Sequence, residues 1–263
     1  MNTECPTSTV NVVVHGRVAR VEMNRPESLN ALNQQMIKEL GVKLKEIGTR
    51  DDIDIVVLTG SGRAFSSGGD IKTMLLGKDE SDFSQVMDCL SDLVVTLYCL
   101  PKLTISAIKG AAAGLGLSLA LATDYILADQ NSKLAMNFIG IGLIPDGGAH
   151  FFLEKMLGED RAKHLIWEGK VQTAAEAKLS GVIHEVAEDG LEEALNRKLK
   201  EWLNKPVQAM IRTKKILAEN HRPDLLKILE LEKYGQLKMR KTKDHAEGIA
   251  AFLEKRKPSF SGQ

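Results

Sequence analysis

The first half of the chain alternates short apolar runs, rich in β-branched residues, with segments whose apolar residues recur at helical spacing. The runs "VNVVVHG" and "VARVEMN" predict a hairpin that turns at Gly16. Buried strands are predicted over 54–60, 103–110 and 125–129, and helices over 32–50 and 114–124. Strands that alternate with helices in this way indicate an α/β fold with parallel strands.

Helical patterns dominate from about residue 147 onward. They cover 147–168, 173–180, 188–218, 223–239 and 242–254, with a short strand near "GVIHEV". We therefore expect an α/β core over residues 1–200, followed by a C-terminal helical region over residues 201–263.

The composition narrows the class of protein and its partners. Apolar residues make up 43% of the chain and charged residues 27%, as in ordinary globular domains. Lys+Arg and Asp+Glu both total 35, so no net charge favours nucleic acid or a membrane as a partner. Cys5, Cys89 and Cys99 have no metal-binding or redox spacing, and the N-terminus does not resemble a signal peptide. These features predict a cytoplasmic location.

Two glycine-rich stretches are candidates for a ligand-binding site. "GSGRAFSSGGDIKTM" (60–74) and "GAAAGLGLSLA" (110–120) each follow a predicted buried strand and enter a helical pattern. Neither has the spacing of a P-loop or a dinucleotide-binding loop. Either stretch alone could be an ordinary strand-to-helix turn. Together they could direct two backbone N–H groups at one point, which is the geometry of an oxyanion hole.

Several motifs resemble those of the crotonase, or enoyl-CoA hydratase/isomerase, superfamily, in the same order over essentially the whole chain. They are "NRPESLNAL", "AFSSGGDIK", "KGAAAGLGLSLALATDYILAD", "GIGLIPDGGAHFFLEKMLG", "AAEAKLSGVIHEV" and "AFLEKRKPSF". The resemblance implies a crotonase-like α/β fold, with a spiral core of ββα units and a helical C-terminal trimerisation region. It also implies a homotrimer or a dimer of trimers. The substrate would be an acyl-CoA thioester, with coenzyme A part of the substrate and no separate cofactor or metal.

The same resemblance assigns roles to individual residues. The backbone N–H groups of Gly69 and Leu115 would hold the thioester oxygen as it gains negative charge, and losing one such donor typically costs about 100- to 1000-fold in rate. The adenine would lie along Ala64 to Ile71, and the phosphates near Arg25 and Lys255. The full substrate-binding set comprises Arg25, Ala64, Ser66, Gly68, Asp70, Ile71, Lys72, Gly114, Phe138 and Lys255.

The chain departs from the hydratase pattern at both catalytic carboxylates. Ser118 and Phe138 stand where hydratases of this superfamily have glutamates. Ser118 could orient a water molecule, but Phe138 offers no proton-transfer group. In this chain the "PD" of "GLIPDGG" contains Asp146. Superfamily members that have "PD" at the same place use its aspartate as a catalytic residue. We therefore predict a Δ3-to-Δ2 enoyl-CoA isomerase with Asp146 as its acid/base, its pKa raised by Phe138, Ile141 and Ile144.

Structural and functional alternatives stay open at this point. Asp146 could serve only in a turn or as a helix cap, and Asp70 could cap a helix over 70–76. Asp124 could accept hydrogen bonds from buried backbone N–H groups. His150 could be a surface residue. The rival functions are a specialised hydratase that uses Ser118, a ring-closing synthase, and a non-catalytic subunit that binds acyl-CoA or RNA. The balanced charge disfavours RNA.

Overall fold

The computed structural model describes residues 8–70 and 80–263 of the chain. It begins with an antiparallel hairpin of β1 (Val10–His15) and β2 (Val18–Met23), in which Val10 faces Met23 and His15 faces Val18. Gly16 forms the turn with a φ of 56°, a left-handed conformation that favours glycine. The predicted hairpin is confirmed.

The hairpin belongs to a mixed sheet whose central strands are buried on both faces. Its further strands are β3 (Ile55–Gly60), β4 (Leu103–Ile108), β6 (Tyr125–Asp129) and β9 (Glu185–Ala187). Within the described residues the strand order is β1-β2-β3-β4-β6-β9, and every pair after the hairpin is parallel. In β3, Val56 and Leu58 enter one apolar core, whereas Ile55 and Val57 enter a second core on the opposite face. Burial on both faces explains the unbroken apolar runs of the sequence.

A smaller sheet continues from the end of β4. It consists of β5 (Ala111–Ala113), β7 (Lys133–Ala135) and β8 (Val171–Thr173), with β5 parallel and β8 antiparallel to β7. Because β3 and β4 are parallel neighbours, the segments 61–70 and 109–114 leave the large sheet at the same edge. This edge is where the two glycine-rich stretches meet.

Helices cover the sheets and form most of the C-terminal half. They are α1 (Gln34–Gly48), α2 (Glu80–Tyr98), α3 (Leu115–Leu121), α4 (Ala149–Leu157), α5 (Glu159–Glu168), α6 (Ala174–Ser180), α7 (Leu191–Leu203), α8 (Val207–Met239) and α9 (Lys243–Glu254). Helices α1 and α2 pack together over the larger core, and α7 covers the opposite face with Ala194, Leu195 and Trp202. No helix in this described part is long and apolar enough to cross a membrane.

The helices predicted over 188–218 and 223–239 have the wrong boundaries. The pattern over 188–218 is interrupted, because α7 ends at Leu203 and Pro206 precedes the start of α8. Conversely, α8 runs without a break through Pro223. A proline inside a helix costs about 3 kcal/mol, and burial of Ala218 and Leu225 on either side of it offsets this cost. The expected division at residue 200 falls inside α7 and stays a prediction.

The pattern over 147–168 is likewise two helices. Gly158, with a φ of 80°, separates α4 from α5. The strand expected near "GVIHEV" is present as β9, at the end of that stretch.

Candidate active site

The two glycine-rich segments run side by side and are joined by backbone hydrogen bonds. The N–H of Ser66 donates to the carbonyl of Ala111, and the N–H of Ala113 donates to the carbonyl of Ser66, both at 3.0 Å. Gly68 has a φ of 101°, and a Cβ there would lie 2.8 Å from the Ala113 oxygen. Only glycine permits this close approach.

The backbone of Gly69 is held in place from its other side by Leu32. The N–H of Leu32 donates to Gly68 at 2.8 Å, and the carbonyl of Leu32 accepts from the N–H of Asp70 at 3.0 Å. In such a parallel bridge Leu32 forms its hydrogen bonds with Gly68 and Asp70, the residues on either side of Gly69. The N–H of Gly69 therefore points away from Leu32. Among the described residues this N–H has no acceptor.

Leu115 supplies a second backbone N–H nearby. It is the first residue of α3, and the first N–H groups of a helix have no partner inside the helix. Gly114 before it has φ 49° and ψ −125°, a conformation accessible to glycine, and its own N–H donates to Ala135 at 2.8 Å. A Cβ on Gly68 would lie 3.6 Å from the Leu115 nitrogen, so the two loops bring their N–H groups together. A role in holding an oxyanion stays a prediction.

Gly69 and Leu115 both line a cavity of about 570 Å³ between α1, α2 and the loops. This volume suits a small-molecule ligand. Apolar side chains form much of its wall. Leu32 lies shortly before α1, Ile37 belongs to α1, and α2 contributes Phe83, Val86, Met87 and Leu90. Its polar lining consists of Asn33, Gln34, Lys38, Asp70, Asp82, Gln85, Asp146 and Arg240.

Asp146 lies in the wall of this cavity and is 9% exposed. Its Oδ2 accepts a hydrogen bond from Gln236 Nε2 at 3.3 Å, whereas its Oδ1 is buried with no partner in the described chain. Burial raises the pKa of Asp146 well above its ordinary value, and the negative charge of Glu232 raises it further. Gly148, not Asp146, is the residue that precedes α4, and it has no side chain with which to cap the helix. The capping alternative is therefore wrong.

The predicted environment of Asp146 was incomplete. The sequence indicated the raising effect of burial on the pKa but gave no sign of Glu232 or Gln236, which come from α8. Both are buried, at positions of α8 where the helical pattern calls for apolar side chains. A polar residue at such a position is the one sequence signal that could have identified them.

Ser118 and Phe138 lie beside the loops and supply no carboxylate. Ser118 is buried, and its hydroxyl donates to the carbonyl of Gly114 at 3.3 Å. The ring of Phe138 would lie 3.6 Å from a Cβ on Gly114. Neither residue is part of the described cavity lining. Water orientation by Ser118 stays a prediction.

Arg25 and Asp70 form an ion pair next to the first loop. Arg25 Nη1 lies 3.0 Å from Asp70 Oδ2 and donates to the carbonyl of Ala31 at 2.5 Å. Most of both side chains is shielded from solvent. The helix that Asp70 was expected to cap would begin at residue 71, outside the described residues.

Asn30 holds this region together and was missed as a separate site residue. It is buried in a left-handed conformation with a φ of 53°. Its Nδ2 donates to Ser61 and Ala64, at 2.9 and 2.8 Å, and its Oδ1 accepts from the N–H of Arg25 at 2.9 Å. Its place in "NRPESLNAL" was the only sequence signal.

The remaining predicted residues are not all brought to the cavity. Lys255 is exposed at the end of α9 with a φ of 55° and is not among the described lining residues. Cys5, Ile71 and Lys72 lie outside the described residues. The contacts proposed for coenzyme A stay predictions.

Two other sequence interpretations can be compared with the structure. Asp124 Oδ2 accepts from the N–H of Thr104 at 2.8 Å and pairs with Lys214 at 2.7 Å, so the predicted structural role is confirmed. His150 is partly exposed, and its Nδ1 lies 2.8 Å from Glu232 Oε1. Within the described ranges, no group of three or more His, Cys, Asp and Glu side chains is placed to hold a metal ion.

Comparison with known proteins places this chain in a family. The family model described as enoyl-CoA hydratase/isomerase matches residues 14–263. The Bacillus subtilis (strain 168) protein YhaR, named for the same hydratase/isomerase family, is 47% identical over 95% of this chain and 98% of its own. The 1,2-epoxyphenylacetyl-CoA isomerase of Escherichia coli (strain K12) is 33% identical over 94% of this chain and 95% of its own.

A solved structure gives the same result for the fold. The crystal structure of an enoyl-CoA hydratase from Mycobacterium avium subsp. paratuberculosis K-10 superposes with a TM-score of 0.87 and 30% identity. The match covers 97% of this chain and 100% of the Mycobacterium chain. The crotonase-like fold that the motifs implied is confirmed, and the chain belongs to the enoyl-CoA hydratase/isomerase family.

Proposed function

We propose that this family member is an acyl-CoA enzyme that converts 3-enoyl-CoA to 2-enoyl-CoA, with Asp146 as its acid and base. One observation carries the proposal: Asp146 is a buried carboxyl group in the wall of a cavity that Gly69 and Leu115 also line, and the backbone N–H groups of these two residues have no acceptor among the described residues. The positions of the hydratase glutamates hold Ser118 and Phe138 instead.

The proposed reaction moves one proton between two carbons. The thioester oxygen accepts hydrogen bonds from the N–H groups of Gly69 and Leu115, and the Asp146 carboxylate removes a proton from Cα. The electron pair of that C–H bond enters a dienolate, whose negative charge the two donors stabilise. Asp146 then returns the proton to Cγ, the double bond settles between Cα and Cβ, and the carboxylate is regenerated.

The environment of Asp146 suits both halves of this reaction. A carboxylate with a raised pKa is a stronger base toward the weakly acidic Cα–H than an ordinary aspartate. The base must be ionised, so we expect kcat/KM to rise with pH through the pKa of Asp146. No cofactor is proposed beyond the coenzyme A that the substrate carries.

Hydration is the competing reaction, because the name of the similar Mycobacterium protein is that of a hydratase. Adding water needs one group to activate the water and another to handle the α-proton. The Ser118 hydroxyl donates its hydrogen to Gly114, and Phe138 has no ionisable group. These positions favour isomerisation over hydration.

A substrate panel with one variant tests the proposal. Purified protein is given 3-enoyl-, 2-enoyl- and aromatic acyl-CoA thioesters, and formation of the conjugated 2-enoyl thioester is followed by absorbance. Asp146→Asn, which keeps an oxygen for Gln236, should lower kcat by about 100-fold or more. Its affinity for a saturated acyl-CoA, measured by calorimetry, should stay within a few-fold of wild type. A folded variant that retains more than about a tenth of wild-type kcat would contradict the role of Asp146.

A further inference from the structure

Helix α8 places two buried polar side chains against the segment that carries Asp146. Gln236 and Glu232, one helical turn apart, are 1% and 2% exposed. Gln236 Nε2 donates to the carbonyl of Ile144 at 2.6 Å and to Asp146 Oδ2 at 3.3 Å. The Ile144 carbonyl can only accept a hydrogen bond, so the Nε2 end of the Gln236 amide must face it. The same orientation directs Nε2, and not Oε1, toward Asp146.

Glu232 holds the residues that follow Asp146. Its Oε2 accepts from the N–H of Gly148 at 2.7 Å. Its Oε1 accepts from the N–H of His150 at 3.2 Å and lies 2.8 Å from His150 Nδ1. These contacts replace the side-chain cap that α4 lacks. A buried carboxylate is costly unless donors surround it, and here the donors belong to the loop of Asp146.

A tether to Gly148 alone would not need a charge at this position. A neutral glutamine could accept from the Gly148 N–H and donate to His150 Nδ1 in one tautomer of that ring, but its amide nitrogen could not accept from the His150 N–H. Glu232 instead adds a negative charge near another buried carboxyl group, an arrangement that like-charge repulsion disfavours. A function for the charge would explain it.

We propose that Glu232 and Gln236 are positioning residues for Asp146. Gln236 fixes the carboxyl group in the cavity wall, and Glu232 fixes the following loop while placing a negative charge behind that group. This inference rests on the proposed function, because it concerns how Asp146 is prepared to take and return a proton.

Electrostatics gives the direction of the effect. Burial raises the pKa of Asp146 most, and the charge of Glu232 adds to it, so removing that charge lowers the pKa. Among the described residues, the other charged or titratable groups around the cavity and this segment are Lys38, Asp70, Asp82 and Arg240 in the lining, His150 beside Glu232, and His245, whose Nδ1 lies 2.8 Å from the Ile141 oxygen. All of them are retained in the variants below.

Carbon-13 NMR of the full-length protein with labelled aspartate carboxyls tests the charge directly. Asp146→Asn assigns the signal, and the titration midpoint is compared between wild type and Glu232→Gln. The midpoint should move to lower pH in Glu232→Gln, and the acid limb of the kcat/KM profile should move with it. Glu230→Gln is the matched control, because it removes the same charge from an exposed position of α8 and should leave the midpoint unchanged.

Gln236→Leu tests the hydrogen bond. It should lower kcat about 10- to 100-fold with KM within about three-fold, because the carboxyl group loses its fixed orientation while the substrate contacts remain. An unchanged kcat, or equal losses in binding and turnover, would overturn the assignment of Gln236.

The wild-type titration can overturn the role of Glu232 even if Glu232→Gln does not fold. A wild-type midpoint near the ordinary aspartate value of about 3.9 overturns it, and so does an unmoved midpoint in a folded variant. The titration needs no substrate. A protein that shows the shift but does not isomerise 3-enoyl-CoA would contradict the proposed function while leaving the positioning role intact.

Discussion

Gly116→Ala tests whether the close approach of the two loops sets the rate. Gly116 lies in α3, directly after Leu115, and faces Ser66 of the first loop. A Cβ at position 116 would stand 2.7 Å from Ser66 Cβ and 2.9 Å from the Ser66 carbonyl oxygen. Carbon atoms in ordinary contact are about 3.5 Å apart or more, so α3 must move away by about 0.8 Å.

That movement carries the Leu115 N–H away from the Gly69 N–H. A misplacement of about 1 Å can cost about 100-fold in rate, equivalent to about 2.7 kcal/mol of transition-state stabilisation. Because both Ser66 and Gly116 are buried, the extra methyl group should also destabilise the fold by about 1–3 kcal/mol. We therefore expect a folded but slow enzyme.

The assay is kcat/KM for isomerisation of 3-enoyl-CoA, with thermal melting to verify folding. Gly41→Ala is the matched control, because it is also a helical glycine and its nearest neighbour, Asp92 Oδ2, would lie 4.0 Å from the new Cβ. This control should keep wild-type activity and gain about 0.5–1 kcal/mol of stability. If Gly116→Ala is folded and its kcat/KM lies within about three-fold of wild type, loop spacing does not control the reaction.

Two further predictions concern the same site. Leu115→Ala should be mild, because the backbone N–H remains, whereas Leu115→Pro should be inactive; a proline variant that melts like wild type and still turns over would refute the donor assignment. Wild-type protein should hydrate 2-enoyl-CoA slowly, and the paired change Ser118→Glu with Phe138→Glu should raise hydration where the pocket tolerates two carboxylates. A wild-type hydration kcat above about 100 s⁻¹, fast against the enzyme median of about 10 s⁻¹, would contradict the isomerase proposal.

The sequence by itself determined most of the architecture around the site. Apolar runs identified β3, β4 and β6, since strands buried on both faces need continuous apolar residues. Gly68 and Gly114 marked two loops, because the positive φ of both residues disfavours a side chain and a Cβ on Gly68 would also lie 2.8 Å from the Ala113 oxygen. Local rules therefore sufficed for the strands of the large sheet and the two loops, and the resemblance of the motifs indicated the family.

Local rules failed where packing competes with propensity. Pro223 predicts an interruption of α8, yet burial of Ala218 and Leu225 keeps the helix continuous. The length of that helix matters, because its last turns bring Gln236 to Asp146.

The surroundings of Asp146 were decided by the tertiary structure alone. Gln236 lies 90 residues from Asp146 along the chain, and Glu232 lies 84 residues from Gly148. No local spacing encodes such pairs, because they exist only once α8 has packed against the segment that leads into α4. The sequence identified Asp146 as the candidate acid/base, but burial and the charge of Glu232, both products of packing, set its protonation behaviour.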